Sequence, residues 1–91
     1  MNEKIREITE EIMEEVDGAR VYYECAKKWA DHADISKTYK DMASQELVHA
    51  THLMEILKAM RKLPDIASED QVLIDFIVDL GTDLVKKSEM K

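Results

Sequence analysis

The sequence predicts an all-α fold, and three observations carry that prediction. Only 2 glycines and 1 proline occur among its 91 residues, too few to punctuate a run of strands. Ala, Glu, Lys, Leu, Ile and Met are prominent, and all six are good helix formers or tolerate helices well. Apolar residues recur at spacings of three and four along most of the chain, the period of a helix buried on one side. The predicted architecture is an antiparallel hairpin of two long helices, about 3–31 and 35–62, with a third C-terminal helix at about 69–88. One domain spans 1–91, near the lower limit for a core that is stable alone.

The first helix opens after Asn2, a good N-cap, with Glu3 in its first turn. Its apolar stripe is Ile5, Ile8, Ile12, Val16, Ala19, Tyr23, Ala26 and Ala30. Gly18 interrupts the run at a cost of roughly 1 kcal/mol against alanine, and either admits a close backbone approach or does nothing. Asp31-His32-Ala33-Asp34 ends the stripe and offers Asp34 as the next N-cap. The second helix runs from Ile35 to Lys62 and stops before Pro64, because the residue before proline disfavours helix. Its stripe is Tyr39, Met42, Ala43, Glu46, Ala50, Leu53, Leu57 and Met60, with Glu46 at the centre and His49 roughly 60° to one side, still inside the buried sector. The third helix starts at Ser68, whose spacing to Gln71 fits a capping box. Val72-Leu73-Ile74 and Phe76-Ile77-Val78 make it apolar on more than one face, and Leu80, Leu84 and Val85 carry it to Lys86-Lys87. Two helices cannot cover a third on two sides, so contacts with other copies are expected.

A charged glutamate at the middle of an apolar stripe costs several kcal/mol (of order 3–5) unless it is paired, protonated or bound to metal. The first helix offers its stripe no basic partner, since Arg20, Lys27 and Lys28 project elsewhere. It offers Glu15 on the inner edge instead, with Tyr22 two turns later on the same side. Facing carboxylates repel strongly unless a cation lies between them. Glu46 and His49, spaced i and i+3, can share that cation, which makes Glu15, Glu46 and His49 a ligand set with Tyr22 as hydrogen-bond donor behind it. Carboxylates with one imidazole suit iron or manganese. A complete two-metal helical bundle uses a Glu from each of two helices and Glu-x-x-His from each of two more. This chain has one of each, so a twofold homodimer would complete the site as a four-helix bundle.

The segments Glu14-Glu15-Val16-Asp17-Gly18-Ala19-Arg20-Val21-Tyr22 and Gln45-Glu46-Leu47-Val48-His49-Ala50 resemble the ferritin-like superfamily, closest to its short members, the encapsulated ferritins, in which two chains share one centre. Tyr22-Tyr23 followed by Ala26-Lys27-Lys28 is also similar to the rubrerythrins. The resemblance covers about Ile5 to Leu57. It implies a di-iron centre that oxidises Fe(II) with dioxygen or peroxide, with Glu15 or Glu46 bridging the metals. It also implies a ring-like homo-oligomer and storage inside an enclosing protein shell. Two features depart from it: Lys86-Lys87-Ser88-Glu89-Met90-Lys91 reads as a charged end rather than a shell-targeting peptide, and no rubredoxin-like module accompanies the helices.

Other residues are weaker candidates. Glu11, one turn before Glu15, is the reserve ligand, and Glu14 with Asp17 is a candidate outer acidic site. Glu24 lies across the first helix from Glu15, and His52 is rotated well away from Glu46. His32 belongs to the turn. Trp29, Val21 and Cys25 flank the first stripe as contact surface. The single cysteine can form no intramolecular disulfide and no paired-thiolate metal site. A net charge of −7 argues against nucleic acid as a partner. No apolar run reaches the roughly 18–20 residues that cross a bilayer, and the N-terminus lacks the apolar core of a secretion signal, so a cytoplasmic location, free or inside a compartment, is expected. The rival reading is a non-catalytic oligomerisation or adaptor protein with a buried Glu–His polar network. A small peroxidase using the same site is a third.

Overall fold

Asn2 starts the first helix as its side chain predicts. Its backbone is extended while its amide oxygen accepts a 2.8 Å hydrogen bond from the Lys4 N–H. The computed structural model describes residues 2–89, so Met90 and Lys91 of the charged end lie outside the described residues, as does Met1. Three helices follow in order: α1 Glu3–Lys28, α2 Ala33–Arg61 and α3 Ser68–Ser88, with no strand among the described residues. None of them is long and apolar enough to cross a membrane.

Two predicted caps are corrected. His32, not Asp34, is the N-cap of α2, and Asp34 falls inside the first turn, where its charge still favours the helix dipole. Ala67 rather than Ser68 precedes α3, and no side chain caps it. The capping box is lost because Gln71 turns elsewhere: its amide donates at 3.2 Å to the carbonyl of Arg61. Arg61 is the last residue of α2, so this carbonyl has no partner within its own helix.

The hairpin is held in register at its closed end by a buried bond, Ser36 Oγ to the Ala26 carbonyl at 2.9 Å. Ala19, Ala43 and Leu47 pack the middle of the hairpin. Towards the open end, Ile5, Ile12 and Val16 of α1 meet Ala50, Met54 and Leu57 of α2, and Ile74 and Ile77 of α3 close over them. Gly81 of α3 brings that helix against Met54 and Ile12: an added Cβ would lie 2.7 Å from the Met54 sulfur and 3.9 Å from Ile12 Cγ2. At the surface, Arg61 grips Asp75 with two hydrogen bonds, 2.6 and 3.0 Å, tying α3 to α2.

The stripe predicted for α2 divides into two neighbouring seams. Ala43, Leu47, Ala50, Met54 and Leu57 form the buried one. Tyr39, Met42, Glu46, Leu53 and Met60 form the other and are only half-buried, while Ile35, Ile56 and Leu63 extend it at 39, 47 and 50% exposure. The second seam advances by alternating steps of three and four, the pattern of a helix that packs along a partner. Glu46 therefore lies on the flank of the buried sector, not at its centre. The physical reason is α3, which covers the Leu47–Met54 side and draws the core towards it.

Candidate metal centre

Glu15 and Gly18 on α1 face Glu46 and His49 on α2 across the antiparallel hairpin. One ligand atom each from Glu15, Glu46 and His49 lies within 4.8 Å of the others, and among the described residues no other group of three His, Cys, Asp or Glu side chains does so. His49 Nδ1 stands 3.4 Å from Glu15 Oε2. In the single chain the His49 side chain is 55% exposed and the Glu15 side chain 27%. This corrects the expectation that His49 lies within the buried sector: it stands on the rim of the second seam.

Electrostatics set Glu46 apart within the cluster. Glu46 is held above the usual carboxylate range, first by the hydrogen bond it shares with the Glu15 carboxyl, then by partial burial and the Glu15 charge. His49 pulls in the opposite direction. Two carboxylates this close repel each other, and a metal ion between them would satisfy both.

Gly18 was the residue whose purpose the sequence left open. A Cβ at this position would lie 2.7 Å from Glu46 Oε2 and 3.4 Å from its Cδ. The carboxylate thus rests against the α1 backbone in a space that only glycine leaves. The one available signal was positional, since Gly18 follows Glu15 by three and precedes Tyr22 by four on the same side of α1.

Tyr22 stacks obliquely on Tyr39, ring centroids 6.4 Å apart at 31°, and both rings are half-buried on the open side of the hairpin. The remaining candidates stay outside the cluster. Glu11, Glu14 and Asp17 are exposed, and Asp17 pairs with Arg20 at 3.6 Å. Glu24 pairs with Lys27 at 3.3 Å, and His52 is exposed. His32 is exposed and meets the Trp29 ring edge-on at 5.4 Å. Cys25 is half-buried, with a free thiol.

The donor set fits a hard or borderline divalent cation: two carboxylates, one imidazole and no thiolate. The fit does not rest on composition alone, because the Gly18 space positions one of the carboxylates. Compared with known proteins, residues 8–79 match the family model described as Rubrerythrin. No curated protein matches the chain, and no solved structure does.

Proposed function

The chain belongs to the rubrerythrin family, and from that premise we propose that it is an iron-binding subunit whose di-iron carboxylate centre is shared between two chains and oxidises Fe(II). The observation that carries the reading is the convergence of Glu15, Glu46 and His49 within 4.8 Å on the side of the hairpin that α3 leaves open. Three protein ligands are half of the six that a two-metal helical bundle uses. The half-buried second seam of α2, with Tyr22 and Glu15 opposite it, is the surface a second copy would cover.

Bound iron supplies the redox chemistry, each Fe(II) giving one electron to dioxygen or peroxide. The chain's own groups hold and discriminate. Glu15 and Glu46 supply negative charge, which favours the more highly charged Fe(III) product. His49 binds as neutral imidazole, and because its Nδ1 faces Glu15, its Nε2 is left free for other partners. Gly18 fixes where the Glu46 carboxylate rests, and Tyr22 orients a carboxylate once the second chain encloses it. Manganese, which the same donors accept, is the competing metal.

The test is metal content per chain and native mass of protein purified without chelator, before and after addition of Fe(II), for the wild type and Glu46→Ala. The wild type should take up about one iron per chain and consume oxygen or peroxide as Fe(II) is added. Glu46→Ala should lose both while keeping its helical circular dichroism. Wild-type iron oxidation by Glu46→Ala would show that the site is wrong. Metal-free wild type with unchanged assembly would favour the non-catalytic oligomer.

A further inference from the structure

We propose that Tyr22, Tyr39 and Trp29 form a one-electron path between the Glu15–Glu46–His49 cluster and the closed end of the hairpin. All three tyrosines and the single tryptophan lie between positions 22 and 39, and none lies on α3. Phenols and indoles can lose an electron and a proton and persist as radicals. Leucine or phenylalanine would fill the same seam but would carry no electrons.

The rings follow one another along the open side of the hairpin. Tyr22 packs against Ala19, Ala43 and Leu47, beside Gly18, where the Glu46 carboxylate rests. Its ring centroid lies 6.4 Å from that of Tyr39. Tyr39 shares a surface cavity with Asp34, Ile35 and Thr38, towards the closed end that the Ser36–Ala26 bond aligns. Trp29, the C-cap of α1, falls two turns past Tyr22 on the same side of that helix. Both tyrosines are half-buried, which shields the inner steps, and Trp29 is 40% exposed, which gives the path an outlet.

A centre shared between two chains creates the need for such a path, and to that extent the proposal rests on the di-iron reading. Centres holding one Fe(II) arise whenever loading is incomplete. Peroxide takes two electrons and two protons to become two molecules of water, and one Fe(II) supplies one electron. Tyr22 supplies the other with its phenolic proton, and the second proton comes from solvent. Trp29 refills Tyr22 by way of Tyr39, and each phenol regains a proton with its electron. The net loss is one electron and the indole N–H proton of Trp29, which passes to water. A one-electron reductant of the ascorbate class then restores Trp29. The metal ligands are spared oxidation, and no hydroxyl radical is released.

The path is read first without metal. A radiolytic pulse in azide solution yields azide radicals, which oxidise tryptophan in preference to tyrosine. Exchange between the rings is reversible, so oxidation placed on Trp29 retraces the path inward. In the metal-free full chain, indolyl absorption should decay as tyrosyl absorption rises, at a rate independent of protein concentration. Tyr39→Phe should slow the transfer many-fold. Tyr22→Phe/Tyr39→Phe leaves Tyr23 as the sole tyrosine and should abolish the transfer with unchanged circular dichroism. Cys25→Ser should leave it intact, because the thiol is not a carrier. With Fe(II) below one per chain and then peroxide, freeze-quenched wild type should show tyrosyl and indolyl radicals by electron paramagnetic resonance. Trp29→Phe should keep the tyrosyl signal alone. No tyrosyl rise in metal-free wild type, a rate that scales with concentration, loss of transfer in Cys25→Ser, or undiminished transfer in the double variant would overturn the proposal. So would iron-loaded wild type that forms no protein radical. Transfer intact in a chain that binds no iron would sink the di-iron reading alone.

Discussion

Gly18 and Gly81 occupy helix interiors at two different places in the bundle, and each makes room for one side chain of α2. Behind Gly18 the neighbour is the carboxylate of Glu46, on the open side of the hairpin. Behind Gly81 it is the thioether of Met54, 4% exposed and packed among Ile12, Leu57 and Ile74. The voids are alike, with the nearest atom 2.7 Å from an added Cβ in each. Their surroundings differ. Met54 has nowhere to go, whereas the end of Glu46 can swing outward. The same small residue therefore serves packing in one region and ligand placement in the other.

Substitution by alanine should separate them. Gly81→Ala overpacks a filled core and should cost about 1–3 kcal/mol, read as a lower urea midpoint with unchanged slope. Gly18→Ala should instead raise the stability of the metal-free protein by up to about 1 kcal/mol, because alanine is the better helix former and the displaced group is flexible. Its loss should appear in binding. A shift of the Glu46 carboxylate should weaken Mn(II) affinity about tenfold, equivalent to about 1.4 kcal/mol, in a calorimetric titration. A Gly18→Ala protein as destabilised as Gly81→Ala, with native metal affinity, would erase the contrast.

The smallest effect is the pH response, and its sign differs between the regions. Glu46 has a native pKa above its unfolded value, chiefly through the hydrogen bond with Glu15. Its contribution to stability is full below the unfolded value near ~4 and is lost as pH rises through the native one. Asp75 has the reverse shift, lowered chiefly by the hydrogen bond from Arg61. Its contribution is present above ~4 and is lost as pH falls through its depressed native value. Urea midpoints of metal-free protein across the acid range should therefore change slope on the higher-pH side in Glu46→Gln, and on the lower-pH side in Asp75→Asn. The Asp75 effect is modest, since Asp75 and Arg61 remain in contact with water.

The three helices were legible because their apolar spacing and scarce breakers agree over long runs. So was the grouping of Glu15, Glu46 and His49, since spacings of three, four and seven place residues on one side of a helix whatever it packs against. What escaped depends on how one helix meets another. A helical wheel drawn for α2 alone merges its two seams, and only the position of α3 shows which is buried, so Glu46 was placed too deep and His49 was not expected on the rim. Gly18 acquires a purpose only once the hairpin register brings Glu46 opposite it. The Ser68 cap failed for a similar reason, because the carbonyl of Arg61, distant in sequence, competed for Gln71.

The Ser36–Ala26 bond also bears on the order in which this chain acquires its shape. It joins residues only ten apart, so closing that span costs little chain entropy. During synthesis the N-terminal portion is free to fold first, and both partners emerge from the ribosome well before Gln71 or Gly81. The hairpin can thus set its alignment, and with it the juxtaposition of Glu15 and Glu46, while the core beneath α3 is still unmade. The last helix then arrives at a template already in register.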